Sequence, residues 1–265
     1  MAVEMLIEPK QVFSGTVTEQ GEGFMIAMKL ALQAFEDKKP LLVFSRGSAS
    51  ENAKHLNFTS LVSGNPLAAA RGLSRATGRL VLAFAGDVAT AQYLSSFRNI
   101  QENIVYICLN NAGSASSSSR HAVEKQLAKS VAAKFSKSEA FRNPGEPSVL
   151  RGYAATASVA FPQDYMKKLL RAKSEAGFVF LDVHCPSPKL WGFDPSNTIE
   201  VGRVAVNSNV WPLFEYSSAG QVASYKPEQL ESVSMYVRMQ SRFSESDAEK
   251  LKNIVAENTK LLAQQ

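Results

Sequence analysis

The apolar residues of this chain fall into short, nearly continuous runs separated by stretches of helical periodicity. Pro40–Ser45, Arg79–Phe84, Asn103–Leu109 and Phe178–Val183 are compact apolar runs bounded by Gly, Asn or Pro. Runs of that kind predict parallel strands covered on both faces. Between them the periodicity predicts helices over Phe24–Asp37, Pro66–Thr77, Ala89–Glu102, His121–Phe141 and Pro162–Ala176. The last has Pro162 suited to a first turn and Gly177 just past its end. Strand and helix in alternation predict the α/β class, an open, mostly parallel sheet flanked by helices with right-handed crossovers. The last third turns helical, with Pro227–Phe243 and Glu245–Gln265 expected as consecutive helices. The expected division is an α/β domain over residues 1–226 and a C-terminal helical arm over residues 227–265. No internal repeat is visible.

Composition narrows the classes. The chain has 265 residues, of which 45% are hydrophobic and 20% charged, which excludes disordered and collagen-like chains. Its longest apolar runs, such as Leu41–Phe44 and Leu80–Ala85, fall far short of the ~18 residues that a membrane span needs. The opening MAVEMLIEPK lacks a basic-then-apolar block, so no secretory signal is expected and a soluble, cytoplasmic protein is the default. Two cysteines, Cys108 and Cys185, make no disulfide framework. The net charge is +5, but Lys167, Lys168, Arg171 and Lys173 typify how the basic residues scatter along helical stretches. No dense basic block with interleaved aromatics points to nucleic acid. The surplus reads as a solvated basic surface, or as a face for an acidic protein partner.

Two loops after strands carry candidate chemistry, because ligands of open α/β sheets sit beyond the carboxyl ends of strands. One is Ala85-Gly-Asp-Val-Ala89 and the other runs from Asn110 to Ser119. They lie about one helix-plus-strand unit apart, so adjacent strand ends would bring Asp87 and Asn111 together. A carboxylate and an amide oxygen are hard ligands suited to Mg²⁺ or Ca²⁺ that also holds phosphates. Gly-Asp and Asn-Asn after strands are equally ordinary turn chemistry, and the residues alone leave both readings open. Other features are weaker. Gly21-Glu-Gly23 is half a dinucleotide fingerprint. His55, His121 and His184 share no metal spacing, and His184, ending an apolar run, reads as a core or subunit-contact residue. Cys108 reads as a buried strand thiol, and Trp191, Phe193, Trp211 and Phe214 as packing or subunit interface.

The later sequence carries a resemblance. The segment His184-Cys-Pro-Ser-Pro-Lys-Leu-Trp-Gly-Phe-Asp-Pro-Ser through Val206, followed by Trp211-Pro-Leu-Phe-Glu215, resembles the thiamine-diphosphate-binding beta subunit of pyruvate:ferredoxin oxidoreductase and related 2-oxoacid:ferredoxin oxidoreductases. The similarity extends through Tyr153–Ala160, Phe161–Asp164, Gly86-Asp87 and Tyr106–Asn111, over roughly residues 12–243. It implies the thiamine-diphosphate-binding fold. It also implies that Asp87 and Asn111 are side-chain ligands of Mg²⁺, with Gly113 as a backbone carbonyl ligand, and that the metal clamps the cofactor diphosphate beside Gly86. In this family the cofactor's thiazolium carbanion attacks the 2-oxoacid, and the electrons of decarboxylation leave through an iron–sulfur chain.

The departures are specific. By the same resemblance, four cysteine ligands of a [4Fe–4S] cluster are expected where this chain has Glu19, Glu22, Ser48 and Ser187. Losing all four thiolates implies that the chain holds no cluster. Gly-Asp-Gly has become Gly86-Asp87-Val88, and an Asn-Thr-Gly cofactor contact is replaced by Ser116–Ser119, in which Ser116 and Ser117 offer hydroxyls to phosphate or equally form a flexible Ser-rich linker. Two functions follow as expectations. The first is a beta-like subunit of a 2-oxoacid (pyruvate-type) oxidoreductase that supplies the diphosphate and Mg²⁺ half of a thiamine diphosphate site. It would work in a hetro-oligomer with a pyrimidine-domain, alpha-type subunit that carries the activating glutamate, and with a gamma-type subunit as a further candidate; ferredoxin would be reached only indirectly. The alternative is a degenerate, non-catalytic scaffold or regulatory subunit of such a complex. No catalytic residue is assigned on this chain.

Overall fold

The structure, a computed structural model, describes residues 18–93, 96–97, 100–111, 152–217 and 220–263. Helix α1 (Gly23–Phe35) leads into β1 (Leu41–Ser45), then α2 (Ser48–Glu51), β2 (Ser60–Ser63), α3 (Pro66–Thr77), β3 (Val81–Gly86), α4 (Asp87–Gln92) and β4 (Ile104–Asn110). After residues 112–151 follow β5 (Gly152–Ser158), α5 (Pro162–Ser174), β6 (Phe178–His184), α6 (Pro188–Trp191), α7 (Thr198–Asn207), β7 (Phe214–Ser217), β8 (Gly220–Ala223), α8 (Val233–Arg238) and α9 (Glu245–Ala263).

The strands form one sheet in the order β2-β1-β3-β4-β6-β5-β7-β8. The six strands from β2 to β5 are parallel, and β7 and β8 add antiparallel at one edge. This is the open, mostly parallel α/β sheet expected from the alternation. Strands β4 and β6 are buried along their whole length, so neither face tolerates a regular polar position. Side chains alternate between two apolar layers. Phe44, Phe84, Ile107 and Leu181 pack on one face with Phe24, Met28 and Phe35 of α1 and Leu169 of α5. Val43, Ala83, Tyr106 and Phe180 pack on the other with Leu67 and Ala70 of α3. A third apolar cluster joins Trp191, Val201, Val204 and Trp211 to Tyr236, Val237 and Leu251, and seats α8 and α9 against α7.

Several elements differ from the sequence expectation. The helix expected over Ala89–Glu102 is α4, starting at Asp87 and ending at Gln92, and Glu102 already leads into β4. The helix expected over Pro227–Phe243 contracts to Val233–Arg238, capped by Ser232, whose Oγ accepts from Ser234 N. The expected helix His121–Phe141 lies outside the described residues.

A buried lysine fixes β5 to its neighbours. Lys168 on α5 is 1% exposed, and its Nζ donates to Thr156 O at 2.7 Å, Asp164 Oδ2 at 2.5 Å and Ser224 Oγ at 2.7 Å. All three ammonium protons are used, so the group is satisfied although burial lowers its pKa. Lys168→Met would strand the carbonyl and the carboxylate, and is expected to cost about 3 kcal/mol. Urea unfolding of the full chain checks this; a loss under ~1 kcal/mol would show that the network adds little beyond a surface pair.

Candidate functional site

The carboxyl ends of β3, β4 and β6 lie side by side. Gly86 pairs with Leu109 across β3 and β4, and Asn110 pairs with His184 across β4 and β6. The register therefore places Asp87, directly after β3, and Asn111, directly after β4, at neighbouring strand ends. Asp87 is only 5% exposed and is the first residue of α4. The residue before it is held at both backbone groups: Gly86 N–H donates to Ser45 Oγ at 3.3 Å, and Thr90 Oγ1 donates to Gly86 O at 2.8 Å. Gly86 has φ −70°, so its conformation needs no glycine. What matters is the space: a Cβ built there meets nothing within 4 Å among the described residues.

The two asparagines after β4 divide the work. Asn110 is buried and its Nδ2 donates to Asp182 Oδ1 at 3.1 Å, inside the sheet. Asn111 is half-buried, and its backbone oxygen accepts from Trp191 Nε1 at 2.6 Å. Trp191 thus anchors the loop that presents Asn111. Gly113, Ser116 and Ser117 lie outside the described residues. No group of three or more His, Cys, Asp or Glu side chains among the described residues forms a metal cage by itself. A metal at Asp87 and Asn111 would have to be shared with a ligand's own oxygens, as Mg²⁺ usually is.

Beside this pair stands an aromatic wall whose tryptophans the sequence reads as packing or subunit interface. His184 ends β6 with its ring 5.5 Å from Trp191 and 5.0 Å from Trp211, centroid to centroid. Burial, with the Arg242 charge adding to it, pushes the His184 pKa down to about 3, so the imidazole is neutral. Its buried Nδ1 has no hydrogen-bond partner among the described residues, and its ring packs against both indoles. Arg242, which the sequence did not flag, lies with its guanidinium carbon 3.7 Å above the Trp191 ring. Asp182 had a visible signal, a carboxylate inside an apolar strand run, and is fully buried.

Of the positions where the resemblance expects cluster cysteines, two meet. Ser187 Oγ donates to Glu22 Oε1 at 2.8 Å, and both residues are buried. Glu19 is exposed and pairs with Lys189, while Ser48 is exposed at the start of α2. Glu22 approaches closely because Gly23 follows it: Gly23 N–H donates to Pro186 O at 2.9 Å, and a Cβ on Gly23 would lie 2.8 Å from that oxygen. Burial raises the Glu22 pKa, the Ser187 hydrogen bond opposing it. A carboxyl with a raised folded pKa contributes stability that is complete below the unfolded value of about 4.3 and is lost as pH rises through the folded value. Glu22→Gln should therefore raise the thermal midpoint at pH 7 and converge with the parent near pH 4. An unchanged difference across that range would show that Glu22 does not titrate as a buried acid.

Residues 46–183 match the family model described as "Thiamine pyrophosphate enzyme, C-terminal TPP binding domain". The pyruvate synthase subunit PorB of Methanothermobacter thermautotrophicus is 31% identical over 248 residues, covering 84% of this chain and 86% of that protein. The ketoisovalerate oxidoreductase subunit VorB of Pyrococcus abyssi is 28% identical over 291 residues, covering 92% of this chain and 90% of that protein. Among solved structures, 2-oxoglutarate:ferredoxin oxidoreductase from Magnetococcus marinus aligns with a TM-score of 0.49 at 16% identity, covering 68% of each chain.

Proposed function

We propose, because this chain belongs to the thiamine-pyrophosphate-binding beta subunits of 2-oxoacid:ferredoxin oxidoreductases, that it supplies the diphosphate and Mg²⁺ half of a thiamine diphosphate site and holds no iron–sulfur cluster. The observation that carries the reading is the placement of Asp87 and Asn111 at neighbouring strand ends, beside space over Gly86 that no described residue fills. The donor set fits the group: a buried carboxylate and an amide suit a divalent cation, and the cation suits a diphosphate. Asp87 and Asn111 would hold Mg²⁺, with Gly113, Ser116 and Ser117 proposed as further contacts from the segment that follows. When bound, thiamine diphosphate supplies the carbanion chemistry that decarboxylates a 2-oxoacid.

This chain's own residues then bind and orient. Asp87 and Asn111 fix the anionic end, Trp191 holds the Asn111 loop through its 2.6 Å hydrogen bond, and the His184–Trp211 wall keeps water from the strand ends. No group on the chain is assigned to proton transfer, so the activating acid belongs to an alpha-type partner subunit. The absence of a cluster is supported by the sequence and by contact. Only two cysteines exist in the chain, and the Glu22–Ser187 hydrogen bond fills positions at which the family is expected to carry thiolates. Electrons would leave through another subunit.

The test has two parts. The full chain, expressed and purified anaerobically, should contain neither iron nor acid-labile sulfide above background. The native complex should carry thiamine diphosphate and Mg²⁺ in a one-to-one ratio with this chain. Cofactor absent from an intact complex would leave the alternative, a scaffold on an inherited cofactor-binding fold; iron and sulfide on the chain would overturn the clusterless reading.

A further inference from the structure

The segment that follows α8 brings a cation to the strand-end site. Its backbone docks on the turn after α6: Ser241 N–H donates to Gly192 O at 3.2 Å and Arg242 N–H to Trp191 O at 3.3 Å. Gly192 permits this approach. It sits at φ +69°, and a Cβ there would lie 1.8 Å from Ser241 Oγ. The docking lays the Arg242 guanidinium over Trp191 at 3.7 Å and near Phe243 at 4.5 Å. Nε donates to Gln240 Oε1 at 2.9 Å, and Nη2 donates to the Tyr236 hydroxyl at 3.3 Å. Nη1 is buried and has no hydrogen-bond partner among the described residues.

That arrangement is expensive unless something else answers it. A buried guanidinium is stable when its fork meets an anion, and here the stacked, fixed side chain leaves one arm unanswered. The ring beneath it is the same Trp191 whose Nε1 holds Asn111 O, so the cation rests on the residue that positions the candidate metal ligand. Burial lowers the Arg242 pKa to about 10, with the Tyr236 hydroxyl and, more weakly, the Asp87 carboxylate opposing it, and the Arg242 charge adds to the burial that lowers the His184 pKa, so all three share one electrostatic neighbourhood at the ends of β3, β4 and β6. The sequence supplies a reason for a cation. By the resemblance stated above, Val88 stands where a second glycine is expected after Asp87, and a Cβ there would hinder close backbone approach to a phosphate. A guanidinium replaces that contact with a charge-assisted one.

We propose that Arg242 is a direct ligand of the cofactor's diphosphate, so that the C-terminal segment of this chain completes the anion site begun by Asp87 and Asn111. The inference rests on the proposed thiamine diphosphate site and goes beyond it by naming the group that neutralises the phosphate charge left over by Mg²⁺.

The experiment is a calorimetric titration of the cofactor-stripped native complex with Mg²⁺ and thiamine diphosphate, with Mg²⁺ and inorganic pyrophosphate, and with thiamine alone. It is run on the parent, Arg242→Met, Arg242→Lys and Asp87→Ala. Arg242→Met should weaken both phosphate ligands by about tenfold or more, the usual scale for a lost charge-assisted hydrogen bond, and leave thiamine unchanged. Arg242→Lys should fall between, and decides the question if the methionine variant fails to assemble. Should both Arg242 variants bind pyrophosphate and thiamine diphosphate within twofold of the parent while Asp87→Ala does not, Arg242 is not a ligand and the cofactor site stands. A parent complex that binds none of the phosphate ligands overturns the site itself, and with it this inference.

Discussion

Asp87→Ala is expected to abolish retention of thiamine diphosphate and Mg²⁺ while leaving the native complex assembled. Asp87 is buried and sits at the first position of a six-residue helix, where a negative charge contributes only about 0.5 kcal/mol to helix stability. The turn before it is held through Gly86 N–H to Ser45 Oγ and Thr90 Oγ1 to Gly86 O, neither of which uses the carboxylate. Losing the carboxylate therefore removes the proposed metal ligand and keeps those two bonds. A Mg²⁺ site with one or two protein carboxylates cannot spare one, so the loss of cofactor should be complete at the concentrations that saturate the parent. Asp87→Asn, which keeps an oxygen without the charge, should retain a minor fraction. Cofactor content after denaturation, with gel filtration to verify assembly, reads the result directly. Stoichiometric cofactor in the alanine variant would move the metal away from the ends of β3 and β4.

The second large effect is on acid stability. His184 has a folded pKa of about 3, well below the ordinary value near 6.5, because it is buried and Arg242 lies close. For a group whose folded pKa is depressed, the stability it contributes is present above the unfolded value and is lost as pH falls toward the folded one. Between pH 6.5 and about 3 the unfolded chain takes up a proton that the folded chain refuses, a penalty of up to about 5 kcal/mol at the acid end. That is comparable with the whole net stability of an ordinary domain. His184→Phe keeps an aromatic ring between Trp191 and Trp211 and sacrifices no hydrogen bond at Nδ1. Denaturant unfolding from pH 7 to 4 should show a markedly shallower decline in the variant. Parallel declines would show that the imidazole reaches water in the folded state.

Four central strands were legible in sequence to within a residue or two because burial on both faces turns a strand into an unbroken apolar run. Phe178–Val183 and β6 illustrate it. Strand β5 was not legible as a strand: Gly-Tyr-Ala-Ala-Thr-Ala-Ser is poor in β-branched residues, and its conformation is imposed by seven paired positions with β6. Strand β2 is largely exposed at the sheet edge and therefore lacks an apolar signature. The short β7–β8 pair likewise gives no run long enough to read. In the site, Asp87 and Asn111 stood out because strand ends are where such folds bind ligands. Arg242 did not, since its meaning depends on Trp191, far away in the chain and met only through the docked turn. The Glu22–Ser187 contact is a similar case. The resemblance named both positions, but only folding shows that one bonds the other.

The strand order also sets a schedule for synthesis. Strand β6 lies between β4 and β5, although it leaves the ribosome after both. Until Phe178–His184 emerges, the nascent chain carries β4 as a bare edge, apolar but for Asn110 and the Tyr106 hydroxyl, and β5 has no parallel neighbour to pair with. Ribosome-stalled chains ending before Phe178 should accordingly be digested readily by added protease, and those released beyond the β7–β8 pair should resist; equal resistance would mean that the early strands find another partner. An unpaired edge of that kind is a template for misassociation. The half-built sheet carries that hazard for the time it takes to translate the segment between β4 and β6.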